Sequence, residues 1–197
     1  SALCQIDAVV GDFEGNIDRI LAAVDKARSY PEAGVVRIEH PVAPGHYATA
    51  SGPAAMSDAV IPPALADPPG FPDLIVLPEM SLCGYPPMDL LDQPRFADRD
   101  EESFRKLQKL LPPDSAVAVG HIGRNTSGLG RPLTNIVSVL YDGRVVFEQA
   151  KTLLQTYDVF DEARYFEPAR QRNVWHWRGV RIGFAICEDL WRETTPV

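Results

Sequence analysis

Apolar positions along the 197-residue chain follow two periods. Ile17, Ile20, Leu21, Val24 and Ala27 recur at helical spacing, which predicts an amphipathic helix with one buried stripe, and Gly15-Asn16 supplies its N-cap. A strand over residues 2–10 precedes it. Residues 73–77 form a continuous apolar run of the kind found in strands covered on both faces, ended by Pro78. Phe104, Leu107 and Leu111 place a second helix over residues 99–111, stopped by Pro112-Pro113. Strands follow at 116–120, 136–141, 145–147 and 180–186. Asp142-Gly143 between two β-rich runs predicts a tight hairpin. Helices alternating with buried strands give a layered α/β domain, and the hairpin makes its sheet mixed rather than purely parallel.

Between residues 31 and 72 no period is sustained, and that stretch holds 9 of the 18 prolines, so it reads as a long loop or partly disordered insertion. The net charge of −8 disfavours a nucleic-acid partner, because phosphate contacts need clustered Lys and Arg. No apolar run approaches the roughly 20 residues of a membrane span, and the N-terminus lacks the order of a signal peptide. Cys4, Cys83 and Cys187 are too far apart for a zinc-type spacing or a disulfide framework. The expectation is a cytoplasmic chain with no metal, no membrane and no nucleic-acid partner.

Three polar residues stand at strand ends, where α/β proteins carry their sites: Glu79, Lys151 and Cys187. Alone, each has a plain reading as a solvated carboxylate, a surface lysine and a small core thiol. Grouped, they suit acyl transfer. A thiol near pKa ~8.5 needs a base within reach or a nearby cation, Glu79 can shuttle its proton, and the Lys151 ammonium can stabilise a tetrahedral oxyanion. This grouping leads to two expectations: Cys187 alkylates with an apparent pKa below the free value, and Lys151→Met harms acylation much more than folding. Glu188-Asp189 next to the sulfur puts two carboxylates where burial is costly unless they are hydrogen-bonded. Of the four histidines, His121 is the best candidate for a Cys/His pair.

Leu77-Pro78-Glu79-Met80, Gln149-Ala150-Lys151 and Ala185-Ile186-Cys187-Glu188-Asp189-Leu190-Trp191 resemble, in that order, the Glu-Lys-Cys triad of the nitrilase, or carbon-nitrogen hydrolase, superfamily. The stretches 84–91 and 157–168 are similar to the glutaminase domain of glutamine-dependent NAD synthetases. The resemblance implies an α-β-β-α four-layer sandwich and hydrolysis of L-glutamine through a Cys187 thioester, with Glu79 as base and then acid and Lys151 at the oxyanion. It also implies that Tyr157, Glu162 and Glu188 bind substrate. It implies no cofactor in this domain; ATP and Mg²⁺ would serve a synthetase domain of the same polypeptide that makes NAD from deamido-NAD. A homo-oligomer is implied as well. Against that fold, residues 1–197 form a single domain that is incomplete at its C-terminus, the 31–72 insertion is long, and Gln155 stands where a proline is expected. Two alternatives remain open: another amidase or carbamoylase of the superfamily, or a catalytically silent truncated scaffold subunit.

Overall fold

The computed structural model describes residues 1–29, 73–158 and 160–191; the Pro-rich stretch 31–72 and residues 192–197 lie outside the described residues. The main sheet holds β1 (Ala2–Leu3), β2 (Leu74–Val76), β3 (Ala116–Arg124), β4 (Leu133–Tyr141) and β5 (Arg144–Ala150), side by side in chain order. β1, β2 and β3 are parallel, and β4 and β5 return antiparallel, so the sheet is mixed as expected. At the β4–β5 turn Asp142 and Gly143 have φ of 49° and 66°, the left-handed pair that a two-residue hairpin loop demands.

Alternation along β2 and β3 divides the core. Ile75, Val117 and Val119 face α1 (Phe13–Ser29) and α2 (Pro94–Leu110), meeting Ile17, Ile20, Val24, Phe104 and Leu107. Leu74, Ala116 and Ala118 face the other way with Val137 and Val139, against Trp175, Trp177 and Ile186. Those tryptophans belong to β6 (Val174–Trp177), which pairs with β7 (Val180–Gly183) as a second, two-stranded sheet. The described residues thus build a helix layer, a large sheet and a small sheet, three of the four layers expected.

Boundaries differ from the periodicity where single side chains intervene. The strand expected over 2–10 stops at Leu3, with one further bond from the Cys4 N–H to the Val76 carbonyl, because Pro78 ends the partner strand. α1 begins at Phe13 because the Asp12 carboxylate, not Asn16, accepts a first-turn N–H, that of Gly15, at 3.1 Å. Asn16 is buried instead and donates to the carbonyls of Val9 and Leu82 at 2.8 and 3.0 Å, tying the chain before α1 to the loop after β2. α2 starts at Pro94, earlier than its apolar stripe, since proline is tolerated where the first N–H needs no partner. β6 and the short α3 (Glu162–Tyr165) are too brief to show a period.

His121 lies on the helix-facing side of β3. Its ring stacks on Phe104 at 4.0 Å, with Nε2 2.8 Å from Ser138 Oγ and Nδ1 3.5 Å from Asp100 Oδ1. All three residues are buried, and Ser138 donates onward to Glu148. A Cys187–His121 pair is therefore excluded: Cys187 packs on the opposite face of the sheet.

Candidate active site

The strand ends deliver their three side chains as expected, Glu79 after β2, Lys151 after β5 and Cys187 after β7. Lys151 is far from a surface lysine. Its side chain is 0% exposed and its Nζ lies 2.8 Å from Glu79 Oε1 and 2.8 Å from Glu162 Oε2. The backbone holds it from both sides: its N–H donates to the Asn135 carbonyl and its carbonyl accepts from Ala169, each at 2.8 Å. Asn135 Nδ2 donates to Glu79 Oε1 at 2.6 Å, so the carboxylate is fixed by an ammonium and an amide at once. Burial alone would lower the Lys151 pKa, but the two carboxylates outweigh it and hold the ammonium above its ordinary value of 10.5.

Close backbone approach positions Glu79. A Cβ on Gly120 of β3 would fall 2.5 Å from the Met80 nitrogen and 2.6 Å from the Pro78 carbonyl oxygen, so only glycine lets the Glu79 loop lie directly on the strand. Met80 has φ 47°, a left-handed conformation that costs about 1 kcal/mol or more outside glycine. Gly120→Ala is expected to lower stability by about 1–3 kcal/mol and to move the Glu79 carboxylate. A thermal melt and the rate of the amide hydrolysis proposed below report the two effects, and an unchanged melting temperature would discard this account of the loop.

The sulfur sits on a second strained residue. Cys187 has φ 47° and opens a 3-10 turn, Cys187–Leu190. Asp189 clamps this turn to the loop after Lys151: Oδ1 accepts from the Thr152 N–H, the Thr152 hydroxyl and the Leu153 N–H at 3.0, 2.6 and 2.8 Å, while Oδ2 accepts from the Ile186 N–H at 3.0 Å. Glu188 and Asp189 are both buried and both hydrogen-bonded, the condition under which carboxylates beside an apolar strand are tolerable.

Burial pushes the Cys187 thiol up, and the nearby Glu79 carboxylate adds to the rise. Lys151 pulls the other way and is outweighed. This reverses the expectation drawn from grouping Glu79 and Lys151 around the sulfur: the resting sulfur is a neutral thiol beside a base. Alkylation of Cys187 by iodoacetamide is accordingly expected to keep rising beyond the free-thiol value of about 8.5, since burial and Glu79 push the thiol up. Mass spectrometry of the Cys187 peptide across pH checks this, and a plateau below pH 8 would contradict it.

The other expected site residues fall in two places. Glu162, at the start of α3, turns its carboxylate onto Lys151, Asn135 and the Gln155 N–H. Tyr157 is 50% exposed, and its hydroxyl donates to Oε2 of the buried Glu188 at 2.8 Å, so Tyr157 stands at the mouth of the site with Glu188 beneath it. Four further residues complete the constellation. Asn135 shares a β4 face with Val137 and Val139, and an amide at a buried register position was the available signal. Asp189 was visible only as a carboxylate, and Tyr85 only within a longer motif. Gln155 reaches Cys187 and Glu188. Among the described residues no group of three or more His, Cys, Asp or Glu side chains is arranged to hold a metal ion, and no helix is long and apolar enough to cross a membrane.

The family model described as carbon-nitrogen hydrolase matches residues 2–197. A glutamine-dependent NAD(+) synthetase of Synechocystis sp. is 41% identical over 125 residues, covering 61% of this chain and 22% of that protein. One from Xylella fastidiosa is 32% identical over 192 residues, covering 96% of this chain and 27% of that protein. The solved structure of glutamine-dependent NAD+ synthetase from Acinetobacter baumannii, in complex with ADP, superposes with a TM-score of 0.68 at 25% identity, over 96% of this chain and 27% of that one. The chain thus spans about a quarter of the length of the curated relatives it matches.

Proposed function

The chain belongs to the carbon-nitrogen hydrolase family, and on that premise we propose that it is a glutaminase domain that releases ammonia from the side-chain carboxamide of L-glutamine. Cys187 Sγ attacks the carboxamide carbon as Glu79 takes the thiol proton. The oxyanion that forms is held by the Lys151 ammonium and the backbone N–H of Glu188. Glu79 returns the proton to the leaving nitrogen, and ammonia departs from a Cys187 thioester. Glu79 then deprotonates a water, which attacks the thioester, and glutamate leaves as the thiol is restored.

One observation supports the reading above the rest: a fully buried Lys151 pinned 2.8 Å from Glu79, with a thiol on a strained turn beside them. A neutral thiol suits it, since the proton that Glu79 removes at attack is the one it later gives to nitrogen. Glu162 serves in this reading by holding Lys151, while the exposed Tyr157 meets the charged end of the substrate and Glu188, buried beneath it, meets the amide end. Glutamine is favoured because the similar proteins are named for their dependence on it. The ammonia would pass to a synthetase domain that amidates deamido-NAD with ATP and Mg²⁺. The test is glutamate release from L-glutamine by the purified chain, alone and joined to the remainder of the open reading frame. Turnover of propionamide with none of glutamine would transfer the assignment to another amidase of the family.

A further inference from the structure

Gln155 lies between β5 and α3 and is 5% exposed. Its Nε2 donates to Cys187 Sγ at 3.4 Å and to Glu188 Oε2 at 3.2 Å, and its Oε1 accepts from the Tyr85 hydroxyl at 3.1 Å. Both amide hydrogens and one oxygen lone pair are thereby used. Burial first, and then Glu162 and Glu79, push the Tyr85 hydroxyl far above its ordinary range, so it remains a donor at any working pH. A primary carboxamide, the group that the proposed reaction consumes, is therefore held in contact with the proposed nucleophile by a carboxylate on its nitrogen and a hydroxyl on its oxygen.

We propose that Gln155 is a specificity-determining residue whose own carboxamide occupies the amide end of the site and must be displaced by the substrate's. The inference rests on the assignment of Cys187 as nucleophile. Attack requires the substrate carbon within about 3–3.5 Å of the sulfur. The Gln155 nitrogen already stands at that distance, and two groups cannot share the volume. Displacement takes one donor from Glu188, which keeps the Tyr157 hydroxyl, and takes the Gln155 acceptor from Tyr85. A ligand carrying an NH₂ and a carbonyl together restores both bonds, so the exchange is amide for amide. An ester or an N,N-dialkyl amide does not replace the N–H that Gln155 gave to Glu188, so the exchange costs such a ligand one charge-assisted hydrogen bond. The preference that follows is for unsubstituted carboxamides, with affinity lowered by the resident one.

The experiment measures binding of L-glutamine and of propionamide, by calorimetry, to the full chain carrying Cys187→Ser, which keeps an acceptor at the sulfur position and slows turnover. Adding Gln155→Ala is expected to tighten both amides about tenfold, the equivalent of one or two net hydrogen bonds no longer broken. Gln155→Met keeps the bulk while dropping the three bonds, and is expected to tighten them about threefold; it serves if the alanine variant fails to fold. With Cys187 restored, KM for glutamine is expected to fall in Gln155→Ala. Unchanged or weaker binding of both amides, or no measurable binding to either Gln155 variant, overturns the proposal. Tighter propionamide binding with no glutamine binding keeps it and removes the glutamine reading, whereas glutamine turnover with an unaltered KM does the opposite.

Discussion

Glutamate release from L-glutamine is expected to fall by about four orders of magnitude or more when Cys187 is replaced by alanine, since removal of a covalent nucleophile abolishes the route rather than slowing one step. No other thiol can take its place. Cys83 is fully buried, where burial pushes its thiol well above the ordinary range. Cys4 packs on the helix side of the sheet. The fold is expected to survive, because Cys187 is only half-buried and the turn that carries it is held by Asp189. A glutamate assay paired with a thermal melt separates the two effects. Retention of most of the rate by a folded Cys187→Ala protein would falsify the nucleophile assignment.

Lys151→Met is expected to lower stability by about 3–5 kcal/mol as well as activity, because it strips a buried ion pair of one partner and leaves two carboxylates facing each other. The expectation that this lysine matters little to folding is corrected by its burial: Nζ is enclosed between Glu79 and Glu162. Hydrolysis is expected to fall about 10³-fold with loss of the oxyanion partner. The pH dependence has a definite sign. Lys151 holds its proton more tightly folded than unfolded, so its contribution is complete below 10.5 and is lost as pH rises through the higher folded value. Denaturant titrations at pH 7 and pH 11 check this: the gap between the natural chain and Lys151→Met narrows at the higher pH. A methionine variant as stable as the natural chain at pH 7 would show that the enclosed ammonium contributes nothing.

Local patterns made much of this molecule legible. The Asp142-Gly143 hairpin, the buried runs of β2 and β3 and the stripe of α1 each follow from a period or a turn residue that acts over a few positions. The placing of Glu79, Lys151 and Cys187 at strand ends was legible for the same reason. Helix starts were less so, because Asp12 and Asn16 are equally good caps by type, and the distant Leu82 carbonyl draws Asn16 away. Gln155 illustrates the limit: as one polar residue in a loop it departs from a family pattern, and nothing nearby in the chain indicates that Cys187, 32 residues on, receives its hydrogen bond.

The sequence by itself determined the mixed α/β layering, the family and the three side chains worth testing, since these rest on residue type and short-range spacing. Tertiary structure alone decided that Lys151 is enclosed, that His121 is sealed on the far face, that the Gln155 amide reaches the Cys187 sulfur, and that the Cys187 thiol is pushed up rather than down. Burial and Coulomb interactions are sums over everything close in space, and in this chain the decisive neighbours come from β2, β4, β5, α3 and the turn after β7 together.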